Sequence, residues 1–365
     1  MFYFQQIILN NYSEDLMKHQ IHLFTGSIFL FFLLTITLSA QQNLTLPDAS
    51  QHAVVMQQVG MAEIKIDYHR PGVKGRQVWG GLVPYDQVWR AGANENTTIS
   101  FSKEVIIDGR NVPAGTYGLH MIPTENDWTI ILSKDYRAWG SFFYNEENDL
   151  MRFKAKPQTA DFQEWLRYTF DEVTPNSATA SLKWEKLAVP FKIEIDLHKQ
   201  MLDEMTVQLT GIPGFFWQGW NQAANYCYVN GIELEQGLEW VDRSIGITKN
   251  VTNTFTKALI LSALGKNDEA SRLKEEAFTN AQEVDVNNLG YQLLNGGKID
   301  DAIEVFKKNT ELFPESWNVW DSLAEGYINK GDKQLAIENY TKALNMAPEN
   351  QHGRIKGALA QLGAK

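Results

Sequence analysis

The sequence predicts a two-part chain, an antiparallel β-sandwich followed by an α-helical repeat solenoid. Three observations carry this. From Ala62 to Asp196, short alternating or apolar runs are separated by turn clusters, the pattern of many short strands. Near Leu197 the period changes, with Leu197, Met201, Leu202 and Met205 at helical spacing until Pro213-Gly214 breaks the run. Beyond that break, like residues recur 34 positions apart: Pro314 and Pro348, Gly297 and Gly331, Ala302 and Ala336, Phe306 and Tyr340, Leu289 and Leu323.

The elements follow in order. Lys18, the apolar run from Ile28 to Leu38 and then Ser39-Ala40 have the layout of a secretory signal, so residues 1–40 are expected to be a signal peptide. Met17 is the more natural start, because Glu14 and Asp15 fit badly in a basic leader. The apolar run is too short for a membrane span, so no stable span is expected after signal cleavage. Residues 41–52 read as a polar linker, 53–196 as the sandwich, 197–214 as a connecting helix and turn, and 215–365 as the helical domain. In the sandwich, Ile64, Ile66 and Tyr68 alternate with Lys65 and Asp67. Further strands are expected at 97–102, 105–107, 115–122, 128–132, 150–155, 166–170, 178–184 and 191–195. Asp108-Gly109, Pro113-Ala114-Gly115, Glu125-Asn126-Asp127 and Pro175-Asn176-Ser177 are the turns between them.

In the helical part, Trp320, Leu323, Ala324, Tyr327, Gly331, Ala336, Tyr340, Ala343 and Pro348 resemble the tetratricopeptide repeat. The preceding copy keeps Leu289, Gly290, Gly297, Ala302, Phe306 and Pro314, with Val286 and Asn309 departing from the pattern. A degenerate copy keeps Ala258, Gly265, Ala270 and Ala277, and a weaker helix pair lies around Trp220 to Ile245 with Gly231 in its turn. Residues 354–362 read as a capping helix. Small residues at Ala302, Ala336 and Ala343 let paired helices approach, and Phe306, Tyr327 and Tyr340 fill the space between pairs, so neighbours must stack to bury their faces.

The 365-residue chain carries a net charge of −11, with 16 basic and 20 acidic side chains in residues 41–196 and 16 and 22 in residues 197–365. Neither half has the basic surface that nucleic acid requires, so no nucleic-acid partner is expected. Cys227 is the single cysteine, which excludes an intrachain disulfide, and its aromatic neighbours mark it as a buried structural residue.

One segment has the composition of a site. From Tyr68 to Asn96, Arg70, Lys74, Arg76 and Arg90 interleave with Trp79, Tyr85 and Trp89, ahead of Asn94-Glu95-Asn96. Cations beside flat aromatics suit an anionic ligand or a sugar ring stacked on indole. A loop that merely caps the sandwich, with Trp79 and Trp89 as its own small core and Arg90 paired to Glu95, explains the same residues. A second constellation joins His69, Glu95 and His120, with Gly118 leaving room beside His120 on one strand face; such groups could serve acid–base chemistry. No close metal-ligand spacing such as His-x-His exists, no Gly-x-Ser-x-Gly elbow is present, and no metal or cofactor is expected.

Tyr68-His69-Arg70-Pro71-Gly72-Val73-Lys74-Gly75-Arg76, Val83-Pro84-Tyr85, the run from Val88 to Thr98, Pro113 to Leu119, Trp139-Gly140-Ser141 and Val189-Pro190-Phe191 together resemble domain of unknown function 2911, a family of exported proteins of Gram-negative bacteria. Its members often carry tetratricopeptide repeats downstream. The resemblance implies export to the periplasm or exterior and a two-part layout, and brings no catalytic residues. The expected function is a non-enzymatic binding or assembly protein, with the solenoid docking a protein partner and the basic-aromatic loop offering a second surface. The alternatives are an envelope hydrolase acting on a small anionic or glycan substrate through His69, Glu95, Arg90 and His120, and a carbohydrate-binding module using Trp79 and Trp89.

Overall fold

The computed structural model describes residues 47–363, and the expected signal peptide lies outside them. The described chain divides into two compact units, with the boundary between Glu194 and Ile195.

The first unit is a sandwich of two antiparallel sheets. Its strands are β1 (Gln51–Val59), β2 (Ala62–Arg70), β3 (Thr98–Phe101), β4 (Val105–Ile107), β5 (Arg110–Val112), β6 (Gly115–Ile122), β7 (Trp128–Ser133), β8 (Asp149–Ala155), β9 (Gln158–Thr174) and β10 (Ser177–Glu194). One sheet runs β1-β2-β3-β6-β7-β8 and the other β5-β4-β10-β9. The alternation that predicted β2 fixes its orientation: Ile64, Ile66 and Tyr68 are buried and Lys65 is exposed. The same parity carries across the sheet, since Leu119 pairs with Leu132 and Met121 with Ile130. Rings from the two sheets meet between them, Phe153 against Phe191 at 5.8 Å and Tyr68 against Tyr168 at 4.8 Å.

Three differences from the expected strands have physical causes. β1 opens at Gln51, inside the stretch read as linker; it is an edge strand with Val54 and Met56 exposed, so its sequence lacks the inward alternation that marks a strand. β5 is too short to show a period. The expected strands at 178–184 and 191–195 merge into one 18-residue strand, β10, which ends at Glu194, because bulges against β9 at Glu185 and Leu187 let it bend without ending.

The second unit is helical throughout: α1 (Leu197–Gln208), α2 (Trp217–Asn230), α3 (Leu234–Ile247), α4 (Val251–Ala263), α5 (Asn267–Ala277), α6 (Glu283–Asn295), α7 (Ile299–Leu312), α8 (Trp317–Lys330), α9 (Lys333–Met346) and α10 (Glu349–Gln361). α2 to α9 form four hairpin pairs and α10 follows the last. Gly231 and Gly331 end α2 and α8 in the left-handed conformation, at φ 66° and 83°, which a residue with a Cβ adopts at a cost. The spaced residues form the core: Ala302, Phe306, Leu323, Tyr327 and Ala336 share one buried cluster with Phe255 and Leu289. Gly290 lies flat against the Phe306 ring, where a Cβ would collide. Cys227 is fully buried beside Ala223 and Ala224, and burial pushes its thiol up to about 11.

Candidate functional site: a cleft beside Arg90

The segment between β2 and β3 is a long loop that returns to both sheets. Leu166 N donates to Pro71 O at 3.0 Å and Val73 N to Glu164 O at 2.9 Å, tying the start of the loop to β9. Trp89 and Met121 exchange both backbone hydrogen bonds at 2.8 Å, so residues around Trp89 take the place of a strand beside β6. A bulge follows. Ala91 and Asn94 have φ of 52° and 55°, and the Ala91 carbonyl accepts from Thr97 Oγ1 at 3.2 Å and Tyr168 Oη at 2.9 Å. Gly92 is required there, because a Cβ would stand 2.5 Å from Thr97 Oγ1.

This register sorts the site residues onto two faces. Trp89 points inward with Met121 and joins a cluster of indoles: Trp79 meets Trp89, Trp128 and Trp184 edge-on at 5.9, 4.8 and 5.6 Å, and Trp89 stacks on Trp184 at 6.0 Å. Arg90 falls beside His120 on the opposite, outer face. His120 is only 1% exposed although it faces away from the core, because residues 134–148 fold back over it. That segment is fastened at its root by Lys134 N to Asn148 O at 2.9 Å and by Tyr144 Oη and Arg152 Nε to Asp149 Oδ2 at 2.7 and 2.6 Å. His120 Nδ1 lies 3.4 Å from Ser141 Oγ. Desolvation pushes its imidazole down to about 4, against the opposing pull of Asp149.

The basic and acidic residues take separate places. Arg70 Nε donates to Leu166 O at 2.9 Å. Arg76 donates through Nε and Nη2 to Val73 O and Gly72 O at 3.1 and 2.6 Å, so it holds its own turn. Lys74 is exposed above the Trp165 ring, and Tyr85 covers Gly80. Asn94 reaches Ser50 O at 3.4 Å. His69 Nδ1 lies 3.3 Å from Glu95 Oε2, and its ring sits 5.3 Å from His52. His69 and His120 stand on β2 and β6 with one strand position between them, about 10 Å apart through the backbone. Thus His69 and Glu95 come together while His120 faces Ser141. Among the described residues, no group of three His, Cys, Asp or Glu side chains is arranged to hold a metal ion.

Arg90 makes no hydrogen bond or ion pair with a described residue, and its Nε is buried without a protein acceptor. Desolvation lowers its pKa and Glu95 acts only through space to raise it. Gly140, at φ 63°, packs its backbone directly on the guanidinium, where a Cβ would collide with Nη1. Arg90 opens onto a cleft of about 480 Å³ whose walls include Arg76, Leu82, Trp89, Trp184, Ser141 and Phe142. Ser141 and Phe142 were not among the residues singled out for the site. Phe142-Phe143 in a polar stretch between two strands is the signal that sequence reasoning passed over, since two adjacent phenylalanines outside any strand have no core to enter.

Residues 50–193 match the model of a family described as a protein of unknown function, DUF2911, and residues 318–350 match a tetratricopeptide-repeat model. The two matches stand in the order that the sequence suggested, a DUF2911 match first and a tetratricopeptide-repeat match after it. A human protein, Superkiller complex protein 3, is 29% identical over 72 residues, a stretch covering 20% of this chain and 5% of that protein's length. Among solved structures, YrrB, described as a TPR protein with an unusual peptide-binding site, is 18% identical over 44% of this chain and 82% of its own, with a TM-score of 0.23. MamA from Desulfovibrio magneticus RS-1 (residues 41 to the end) is 14% identical over 40% and 93%, with a TM-score of 0.21.

Proposed function

We propose that this DUF2911 protein is an exported, non-enzymatic binding or assembly protein of the Gram-negative envelope, with two binding surfaces. The solenoid docks a protein segment, and the cleft beside Arg90 takes a small anionic or glycan ligand. Export rests on the signal-like arrangement of residues 18–40.

The observation that carries the docking reading is a polar stripe on the first helix of each pair. Asn253, Asn287 and Asp321 are spaced by 34, as are Lys257, Tyr291 and Glu325, and Asn221 and Asn225 extend the stripe to α2 with the same four-residue step. The stripe runs where consecutive first helices meet. Tyr291 Oη on α6 donates to Glu325 Oε2 on α8 at 2.8 Å, and Asn318 Nδ2 on α8 donates to Glu283 Oε1 on α6 at 3.1 Å. The side-chain carbonyls of Asn221, Asn225 and Asn287 have no protein donor. Asn253 is held in the capping box of α4 and Asp321 by Arg354, so the buried carbonyls of Asn221, Asn225 and Asn287 are the stripe's unmatched groups, and N–H groups of an extended peptide laid over them would supply the donors they lack.

The test is affinity capture from envelope extract with full-length protein and with Asn221→Ala/Asn225→Ala/Asn287→Ala. The reading predicts specific partners that the triple variant loses while keeping its helical circular dichroism. An unchanged set of partners on the variant would remove the stripe as the docking surface.

A further inference from the structure

The cleft's ligand can be narrowed by asking which of its groups are already committed. The indoles are. Trp184 is 1% exposed, Trp89 stacks on it, and Trp79 makes edge contacts with three other rings, so no free indole face is offered to a sugar. Arg76 is committed too, holding Val73 O and Gly72 O. What remains is one guanidinium, Arg90, held in position by Gly140 and lacking a protein acceptor. A half-buried cation without a partner carries a desolvation cost that an anion in the cleft would offset. One available guanidinium, with Glu95 adding negative potential nearby, suits a singly charged planar group; a dianionic phosphate calls for more donors. Beside the polar Ser50, Gln87 and Ser141, the wall carries an open apolar part: Phe142 is 80% and Leu82 42% exposed, each lining the cleft. The volume, about 480 Å³, is that of a small-molecule site.

We infer that this cleft binds an organic monocarboxylate, its carboxylate paired with the Arg90 guanidinium and its apolar body lying against Phe142 and Leu82. The inference rests on the reading of the cleft as the second binding surface and commits it to one ligand class. Phe142, at the tip of the 134–148 segment, contributes the apolar wall from a rigid root, because the Tyr144–Asp149–Arg152 network fastens that segment a few residues away. Ser141 also lines the cleft and adds a neutral hydroxyl to it.

Isothermal titration of the full-length protein tests this with 2-naphthoate, its neutral isostere 2-naphthamide, inorganic phosphate and the uncharged sugar N,N′-diacetylchitobiose. Naphthoate is expected to bind at least about tenfold more tightly than naphthamide, since a hydrogen-bonded charge pair is worth roughly a factor of ten or more. Arg90→Gln should remove that advantage, bringing naphthoate down to the affinity of naphthamide. Arg90→Lys should retain part of it, because the charge stays and the planar fork is lost. Phe142→Ser should weaken both naphthyl compounds equally. Thermal melts establish that each variant is folded. Equal affinity for naphthoate and naphthamide, or undiminished naphthoate binding by folded Arg90→Gln, would overturn the carboxylate assignment. Binding of phosphate or chitobiose that is lost in Phe142→Ser, with naphthoate inert, would keep the cleft as a binding surface and overturn its ligand class. Absence of binding by every probe would overturn both.

Discussion

Protonating His120 should unfold the cover over the outer face of the six-stranded sheet. The imidazole is buried beneath residues 134–148, and desolvation holds it near 4 in the fold against 6.5 in a solvated chain. Because the folded value is depressed, the unfolded chain binds the extra proton first. Stability is therefore fully present above about pH 6.5, falls as pH drops from there towards 4, and levels off below. That interval corresponds to about 3 kcal/mol at 1.36 kcal/mol per pH unit. For a unit of this size it amounts to a fall of roughly 6–12 °C in melting temperature. The assay is thermal unfolding between pH 7 and 4, followed by near-ultraviolet circular dichroism of the indole cluster, for the wild type and for His120→Asn. Other titrating groups act in both proteins, so the difference isolates His120. The wild type should lose more stability than the variant across the interval, by the amount given. Parallel pH profiles for the two proteins would refute the claim that a neutral His120 is built into the fold.

Three further outcomes follow from the same contacts. Gly140→Ala should destabilise the sandwich by about 2–4 kcal/mol in urea titrations, through its positive φ and the clash with Arg90; in an Arg90→Ala background the clash is gone and the cost should fall to about 1–2 kcal/mol. Cys227 should stay unreactive to a thiol reagent at pH 8 until the protein is unfolded, because it is buried and its thiol is pushed up to about 11. Arg354→Gln should destabilise the last helix pair by about 1–3 kcal/mol, since it strips the 2.8 Å partner from Asp321, whose carboxyl is raised by desolvation and lowered by Arg354; Asp321→Asn/Arg354→Gln should recover part of the loss.

The parts of the fold legible in the sequence are those where packing imposes a period. β2 alternates because one of its faces is buried, β6 because Tyr117, Leu119 and Met121 face the core while Gly118 and His120 lie on its covered outer face, and Ala302, Phe306, Ala336 and Tyr340 recur because each helix pair repeats the same contact. β1 was illegible for the converse reason: an edge strand with exposed Val54 and Met56 answers to no single face. The candidate site was legible in composition only. Arg70, Lys74, Arg76 and Arg90 look alike in the sequence, and hydrogen bonds to carbonyls 3 to 96 residues away decide that Arg70 and Arg76 are structural. Arg90 differs through Gly140, which lies 50 positions along the chain and reaches it because the 134–148 segment folds over the sheet. His120 was expected to face His69; a strand position between them and the nearby Ser141 separate the two.

The central claim is that the chain is a binding protein whose solenoid docks a partner along the first helices of its pairs. Hydrogen–deuterium exchange of the full-length protein, with and without a partner recovered by capture, tests it most directly. The account predicts that bound partner slows exchange in α2, α4, α6 and α8 around Asn221, Asn253, Asn287 and Asp321, with α3, α5, α7 and α9 little changed. Slowing confined to the second helices, or to the sandwich alone, would contradict it.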